Sequence, residues 1–91
     1  MSEDNQIEDK FKELADKIKN SKSDPIIKIS DDVKITFYMY YKQATLGDCN
    51  TPQPGMFDFT KKTLWNSWNS LQGMSKLDAM KMYIYYAEQY V

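Results

Sequence analysis

The sequence predicts a single all-α domain of four helices. Three observations lead there. Four segments carry apolar residues at the 3.6-residue spacing of a helix face. Gly or Pro stands at each break between them. The length, 91 residues, leaves room for one core of ordinary size.

The first helix is expected from about Gln6 to Asn20. Ile7, Phe11, Leu14, Ala15 and Ile18 form one stripe, and Glu8 with Lys12 and Glu13 with Lys17 are i,i+4 pairs in the favourable order. Ser21 to Pro25 breaks the pattern. The second helix should run from Ser30 to about Leu46. Ser30 is a natural N-cap, Asp31 and Asp32 bring negative charge to the positive end of the helix dipole, and Gly47 follows as a left-handed stop. Its interior, VKITFYMYYK, has the β-branched and aromatic composition of a strand. The stripe of Val33, Phe37, Tyr40 and Ala44, with boundary signals at both ends, favours helix.

Residues 47–59, with Pro52, Pro54, Gly47 and Gly55, read as a loop long enough to be self-packed or functional. The third helix is expected from about Thr60 to Gln72, with Leu64, Trp65, Trp68 and Leu71 on one side and Gly73 as its stop. The fourth begins at Ser75, where Ser75 and Asp78 resemble a capping box, and runs to Val91 on Met80, Tyr83, Ile84 and Ala87. Nothing caps that end, the pattern expected of a domain cut from a longer polypeptide.

Composition narrows the chemistry. There are twelve Lys against thirteen Asp plus Glu, with no Arg and no His. The chain therefore has no imidazole base, no His-activated nucleophile and no His metal ligand. Any anion must be held by Lys, hydroxyls or amides, not by a guanidinium fork. A net charge of −1 argues against a nucleic-acid partner. The single Cys49 forms no internal bridge and suits a reducing compartment, and the polar start MSEDNQIEDK is unlike a secretory signal. No apolar run approaches the roughly 20 residues of a membrane span. The expectation is a cytoplasmic, non-catalytic protein with no metal site.

Tyr38, Tyr41, Lys42 and Thr45 stand at i, i+3, i+4 and i+7, on one face of the second helix beside the core stripe. Two phenols and an ammonium can stack on a flat heteroaromatic ring and hold an anion near it. The spacing alone equally fits tyrosines at the edge of the core with a solvated lysine.

The wording of the chain is more specific. YKQATLGDCNTP over 41–52, PGMFDF over 54–59, the pair Trp65 and Trp68, then GMSK over 73–76 with DAMK over 78–81 and Tyr83-Ile84, resembles the acyl-CoA-binding protein family. The resemblance is close over roughly residues 30–91. It is weaker over the first helix, where Phe11, Ala15 and Ile18 fit, and the loop at 20–29 is a few residues longer than usual.

That resemblance implies an up-down-down-up four-helix bundle that binds medium- to long-chain fatty acyl-CoA thioesters. It implies a carrier that exchanges them with acyl-CoA-using enzymes or membranes, works as a monomer and needs no cofactor beyond its ligand. It assigns Lys42 to the 3′-phosphate, Tyr38 and Tyr41 to the adenine nucleotide, Tyr83 to completing that site and Lys19 to the ligand's anionic part. Trp65 would lie near the ligand. Met39 and Tyr40, between the two site tyrosines, are counted beside it too, although Met is common gap-filling material and Tyr40 also falls on the core stripe.

One position departs from the family, which usually has Lys immediately before the first Trp of the third helix. Here it is Leu64. Lys62 or Lys61, at i−3 and i−4 from Trp65, is expected to supply the missing charge by swinging its long stem toward the phosphate. The rival expectation is a helical protein-interaction module whose aromatic face receives a partner helix.

Overall fold

The computed structural model describes residues 3–20 and 30–90. The expected break at Ser21–Pro25, most of the longer loop and the terminal Val91 lie outside them. Four helices occur among the described residues: α1 (Glu3–Asn20), α2 (Asp31–Leu46), α3 (Phe59–Asn69) and α4 (Lys76–Ala87).

Side-chain caps set three of the four helix starts. Ser30 Oγ accepts from Val33 N at 3.4 Å and Ser75 Oγ from Asp78 N at 3.0 Å, the two N-caps expected from sequence. By sequence Phe59 belongs to the loop, but Asp58 caps α3 by accepting from Lys61 N at 3.1 Å, so Phe59 becomes its first residue. α1 starts three residues before Gln6, with Glu3 and Asp4 at its positive end. α3 stops at Asn69, short of Gln72, because Leu71 N and Gln72 N turn to the carbonyls of Trp68 and Asn69. α4 likewise tightens after Ala87, where Gln89 N and Tyr90 N donate to Tyr86 and Ala87. Gly47 ends α2 with φ 85° and ψ −147°, outside the left-handed helical well and open essentially only to glycine.

Contacts along the helices give their directions. Phe37 meets Tyr90 at 5.9 Å and Tyr40 meets Tyr86 at 5.8 Å, while Gly47 lies beside Lys76, so α2 and α4 are antiparallel. Phe11 meets Tyr41, and Ile18 and Lys19 share a groove with Lys34 and Ile35, so α1 is antiparallel to α2. Lys34 faces Thr63, and Gly47 faces Trp68, so α2 and α3 run the same way. The bundle is up-down-down-up.

The core lies where α1, α2 and α4 meet. Phe11, Leu14 and Ile18 pack with Phe37, Tyr40 and Ala44 and with Ala79, Tyr83 and Ala87. The small Ala44, Ala79 and Ala87 let the backbones approach, and the aromatics fill the space between. Tyr83, only 3% exposed, has its ring 5.1 Å from Phe11 and 5.2 Å from Phe37. Burial pushes its phenol up to about 12, with Tyr41 adding to the effect.

α3 packs mainly on α2 and buries only Trp68, whose indole Nε1 donates to Gly47 O at 2.9 Å. A polar knot does the rest. Gln43 is completely buried, and its Nε2 donates to Asp48 Oδ1 at 2.9 Å and to Met74 O at 2.7 Å. The same Oδ1 accepts from Gly73 N at 2.8 Å. The Gly73 amide first, and the Gln43 amide second, hold the Asp48 carboxyl below its ordinary value of 3.8.

Two titrations test this packing. The lowered carboxyl stabilises the fold at every pH above 3.8, and that contribution disappears as pH falls through the depressed value. Urea melts of wild type and Asp48→Asn should therefore show a stability gap that is level from neutral pH down to about 3.8 and narrows below it. A gap that does not change with pH would contradict the knot. At the alkaline end, folded Tyr83 keeps its proton while the unfolded chain loses it, so stability falls between pH 10 and about 12. The wild type should lose up to about 1.4 kcal/mol per pH unit more than Tyr83→Phe over that window.

Candidate functional site

A groove of about 570 Å³ opens between α1, α2 and α3, with one residue of α4 at its base. Ala15, Asp16, Ile18 and Lys19 come from α1, and Lys34, Ile35, Phe37, Tyr38 and Tyr41 from α2. Leu64 closes it from α3 and Tyr83 from α4. The pattern is local helix geometry: residues three and four apart share a face, so Tyr38 and Tyr41 stand together on α2, as do Ala15, Ile18 and Lys19 on α1.

Four of the residues singled out from sequence meet in this groove: Lys19, Tyr38, Tyr41 and Tyr83. Tyr41 is 45% exposed, and its ring lies 6.2 Å from that of Tyr83 and 5.7 Å from that of Phe11, so it forms an aromatic rim above a buried aromatic base. Lys42 stands at the edge. Its ammonium lies 5.7 Å from the centroids of both Tyr38 and Trp68, held between two π faces. Burial raises the Tyr38 pKa, and Cys49 raises it further. Both groove phenols with a shift are therefore neutral hydrogen-bond donors at physiological pH.

The others lie elsewhere. Tyr40 is buried and stacks on Tyr86 in the α2–α4 seam, because it stands on the inward stripe with Phe37 and Ala44. Met39 packs against the core cluster. Trp65 donates from Nε1 to Thr51 O at 2.9 Å, tying α3 to the long loop. Lys61 Nζ is 3.8 Å from Asp58 Oδ2, and neither Lys61 nor Lys62 lines the groove.

Lys34, Ile35 and Asp16 are groove residues that the sequence motifs do not single out, and Ala15, read there as a core-stripe residue, lines the groove as well. A signal for them exists. Three and four positions before Tyr38 stand Ile35 and Lys34, and the same spacing before Lys19 reaches Asp16 and Ala15. Lys34 Nζ is 3.9 Å from Asp31 Oδ1, but both side chains are largely exposed and the pair is weak.

Chemically, the groove has an apolar floor of Ile18, Ile35, Phe37 and Leu64 and a rim of phenols and ammonium groups. Among the described residues, Asp16 is the one carboxylate lining it. Such a surface suits an amphiphile with an anionic, ring-bearing head. Among the described residues no group of His, Cys, Asp and Glu is arranged to hold a metal ion.

Comparison with known proteins points the same way. A family profile described as "Acyl CoA binding protein" matches residues 8–87. The "Acyl-CoA-binding domain-containing protein 6 homolog" of Dictyostelium discoideum is 48% identical over 81 residues, which is 89% of this chain and 28% of that protein. This chain thus spans little more than a quarter of that relative's length. The "Diazepam-binding inhibitor-like 5" of Rattus norvegicus is 48% identical over 61 residues, 67% of this chain and 70% of that one. The crystal structure of ACBP from Moniliophthora perniciosa superposes with a TM-score of 0.83 at 37% identity, covering 94% of this chain and 76% of that one. By a profile match over most of its length and by a fold shared with solved members, the chain belongs to the acyl-CoA-binding protein family.

Proposed function

We propose that the groove binds medium- to long-chain fatty acyl-CoA thioesters and that the protein is an intracellular carrier for them. The observation that supports this most is the juxtaposition of an apolar trough with a rim of tyrosines and lysines. A fatty acyl-CoA has the same two halves, a long apolar tail and an anionic nucleotide. The tail runs over Ile18, Ile35 and Leu64, each buried methylene contributing about 0.8 kcal/mol. The adenine nucleotide lies against Tyr38, Tyr41 and Tyr83, with Lys42 on the 3′-phosphate and Lys19 on the remaining anionic part. The charge that Leu64 does not provide comes from Lys34, which lines the same groove. Trp65, one helical position beyond Leu64, reports binding by fluorescence.

On this reading the protein holds its ligand and performs no chemistry on it. It works as a cytoplasmic monomer and exchanges acyl-CoA with enzymes or membranes. Membership of the family speaks against the helical protein-interaction module as the account of the aromatic face.

Calorimetric titration of free CoA and palmitoyl-CoA at two salt concentrations tests both halves of the site. Palmitoyl-CoA should bind tighter by several orders of magnitude, and added salt should weaken both because ammonium groups carry the head. Lys42→Ala should cost about 1.5–3 kcal/mol, at least tenfold in Kd. Equal affinity for the two ligands would remove the apolar trough from the account.

A further inference from the structure

Asp16 is out of place in a groove that holds an anion. It is the one carboxylate lining the groove among the described residues, and it is exposed. A carboxylate there repels phosphate and weakens binding unless the ligand brings a hydrogen-bond donor to it. Among the described residues its carboxylate makes no hydrogen bond or ion pair. Lys12, one turn before it, lies 3.5 Å from Glu8 instead.

The helix register shows what stands across from it. Phe11 meets Tyr41 at 5.7 Å, and two turns on, Ile18 and Lys19 share the groove with Lys34 and Ile35. Midway between these levels, Ala15 and Asp16 stand opposite Phe37 and Tyr38. Ala15 carries only a methyl group, which leaves room for a flat ring against the tyrosine wall.

The cations lie at the two ends of this stretch. Lys42 is one turn past Tyr38, with its ammonium 5.7 Å from that ring. Lys19 is about one turn past Asp16 in the opposite direction, because α1 and α2 are antiparallel, and Lys34 is at the same end. Phosphates are drawn to the ends, and the level of Asp16 is left for a neutral part of the head. Adenine is such a part. Its ring is uncharged, has a face to stack on a phenol and carries a 6-amino group that donates hydrogen bonds.

We propose that Asp16 reads the base. Its carboxylate accepts a hydrogen bond from the adenine 6-amino group while the ring stacks on Tyr38 and Tyr41. The site thereby selects adenine over a base with a carbonyl at that position, which would set two acceptors against each other. This assignment rests on the acyl-CoA reading and adds a specificity-determining residue to it.

The test compares palmitoyl-CoA with its deaminated analogue, in which hypoxanthine replaces adenine, by calorimetry. Wild type should bind the analogue about tenfold more weakly, the scale of one hydrogen bond to a charged group. Asp16→Ala places a good helix former at an exposed position and should fold normally, as a thermal melt checks. It should lose about tenfold in affinity for palmitoyl-CoA and bind the two ligands alike. Asp16→Asn, which can accept from the amine or donate to the carbonyl, should also lose the preference. Wild type that binds both ligands equally, or a preference that survives in Asp16→Ala, overturns the assignment. Tighter binding of palmitoyl-CoA by Asp16→Ala overturns it too, since the carboxylate would then only repel the head. Tight but undiscriminating binding by wild type refutes this assignment alone, whereas absent palmitoyl-CoA binding refutes the acyl-CoA reading and the assignment with it.

Discussion

The Gln43 amide is the joint on which the position of α3 hangs. It is fully buried, and burying an amide is costly unless it is hydrogen-bonded. Its two donor sites are used on Asp48 Oδ1 and Met74 O, and Asp48 in turn takes the Gly73 amide. One polar cluster therefore ties the end of α2, the start of the long loop and the α3–α4 turn together. Among the described residues Gln43 Oε1 has no hydrogen-bond partner, a residual cost that the packing must offset. α3 needs this arrangement more than any other helix, since it buries only Trp68. The trough wall at Leu64 stands where it does because α3 is anchored at its far end, by Trp68 on Gly47 O and by the knot beside it.

The tyrosines of α2 show how one short stretch serves both core and site. Tyr38 and Tyr41 face the groove, while Tyr40 turns into the seam with α4 and stacks on Tyr86. Tyr83 joins the two roles. Its ring touches the core through Phe11 and Phe37 and forms the base of the groove below Tyr41. The aromatic floor of the site is thus part of the packed core, and its geometry is held by the same contacts that hold the bundle. A preorganised floor of this kind lowers the ordering cost of binding a flexible amphiphile.

The absence of Arg shapes the site's electrostatics. Lysines are point charges on flexible stems, so their placement depends on what restrains them. Lys42 is restrained between two aromatic rings, Lys61 by the Asp58 cap, and Lys34 only by a weak solvent-exposed pair with Asp31. Of the lysines near Leu64 in sequence, Lys61 and Lys62 lie off the groove. Lys34, distant in sequence, stands on it. Neighbourhood along the chain is a poor guide here because α2 and α3 meet side by side, in parallel, and bring residue 34 against residues 63 and 64.

The four helices, the caps at Ser30 and Ser75 and the face shared by Tyr38 and Tyr41 are all legible in the linear chain. Each is a local property, fixed by the 3.6-residue period and by side chains bonding within three or four positions. The family is legible too, since YKQATLGDCNTP and the paired tryptophans are linear patterns. Packing decides what local rules leave open. It sends Tyr40 to the core and Lys34 to the groove, and it binds Gln43 to a carbonyl 31 residues away. It also leaves the Phe59 ring in the open, although the Asp58 cap draws that residue into α3. Those outcomes depend on which helix faces cover one another. That is settled by burial and hydrogen-bond satisfaction across the whole bundle, and no short window of sequence contains it.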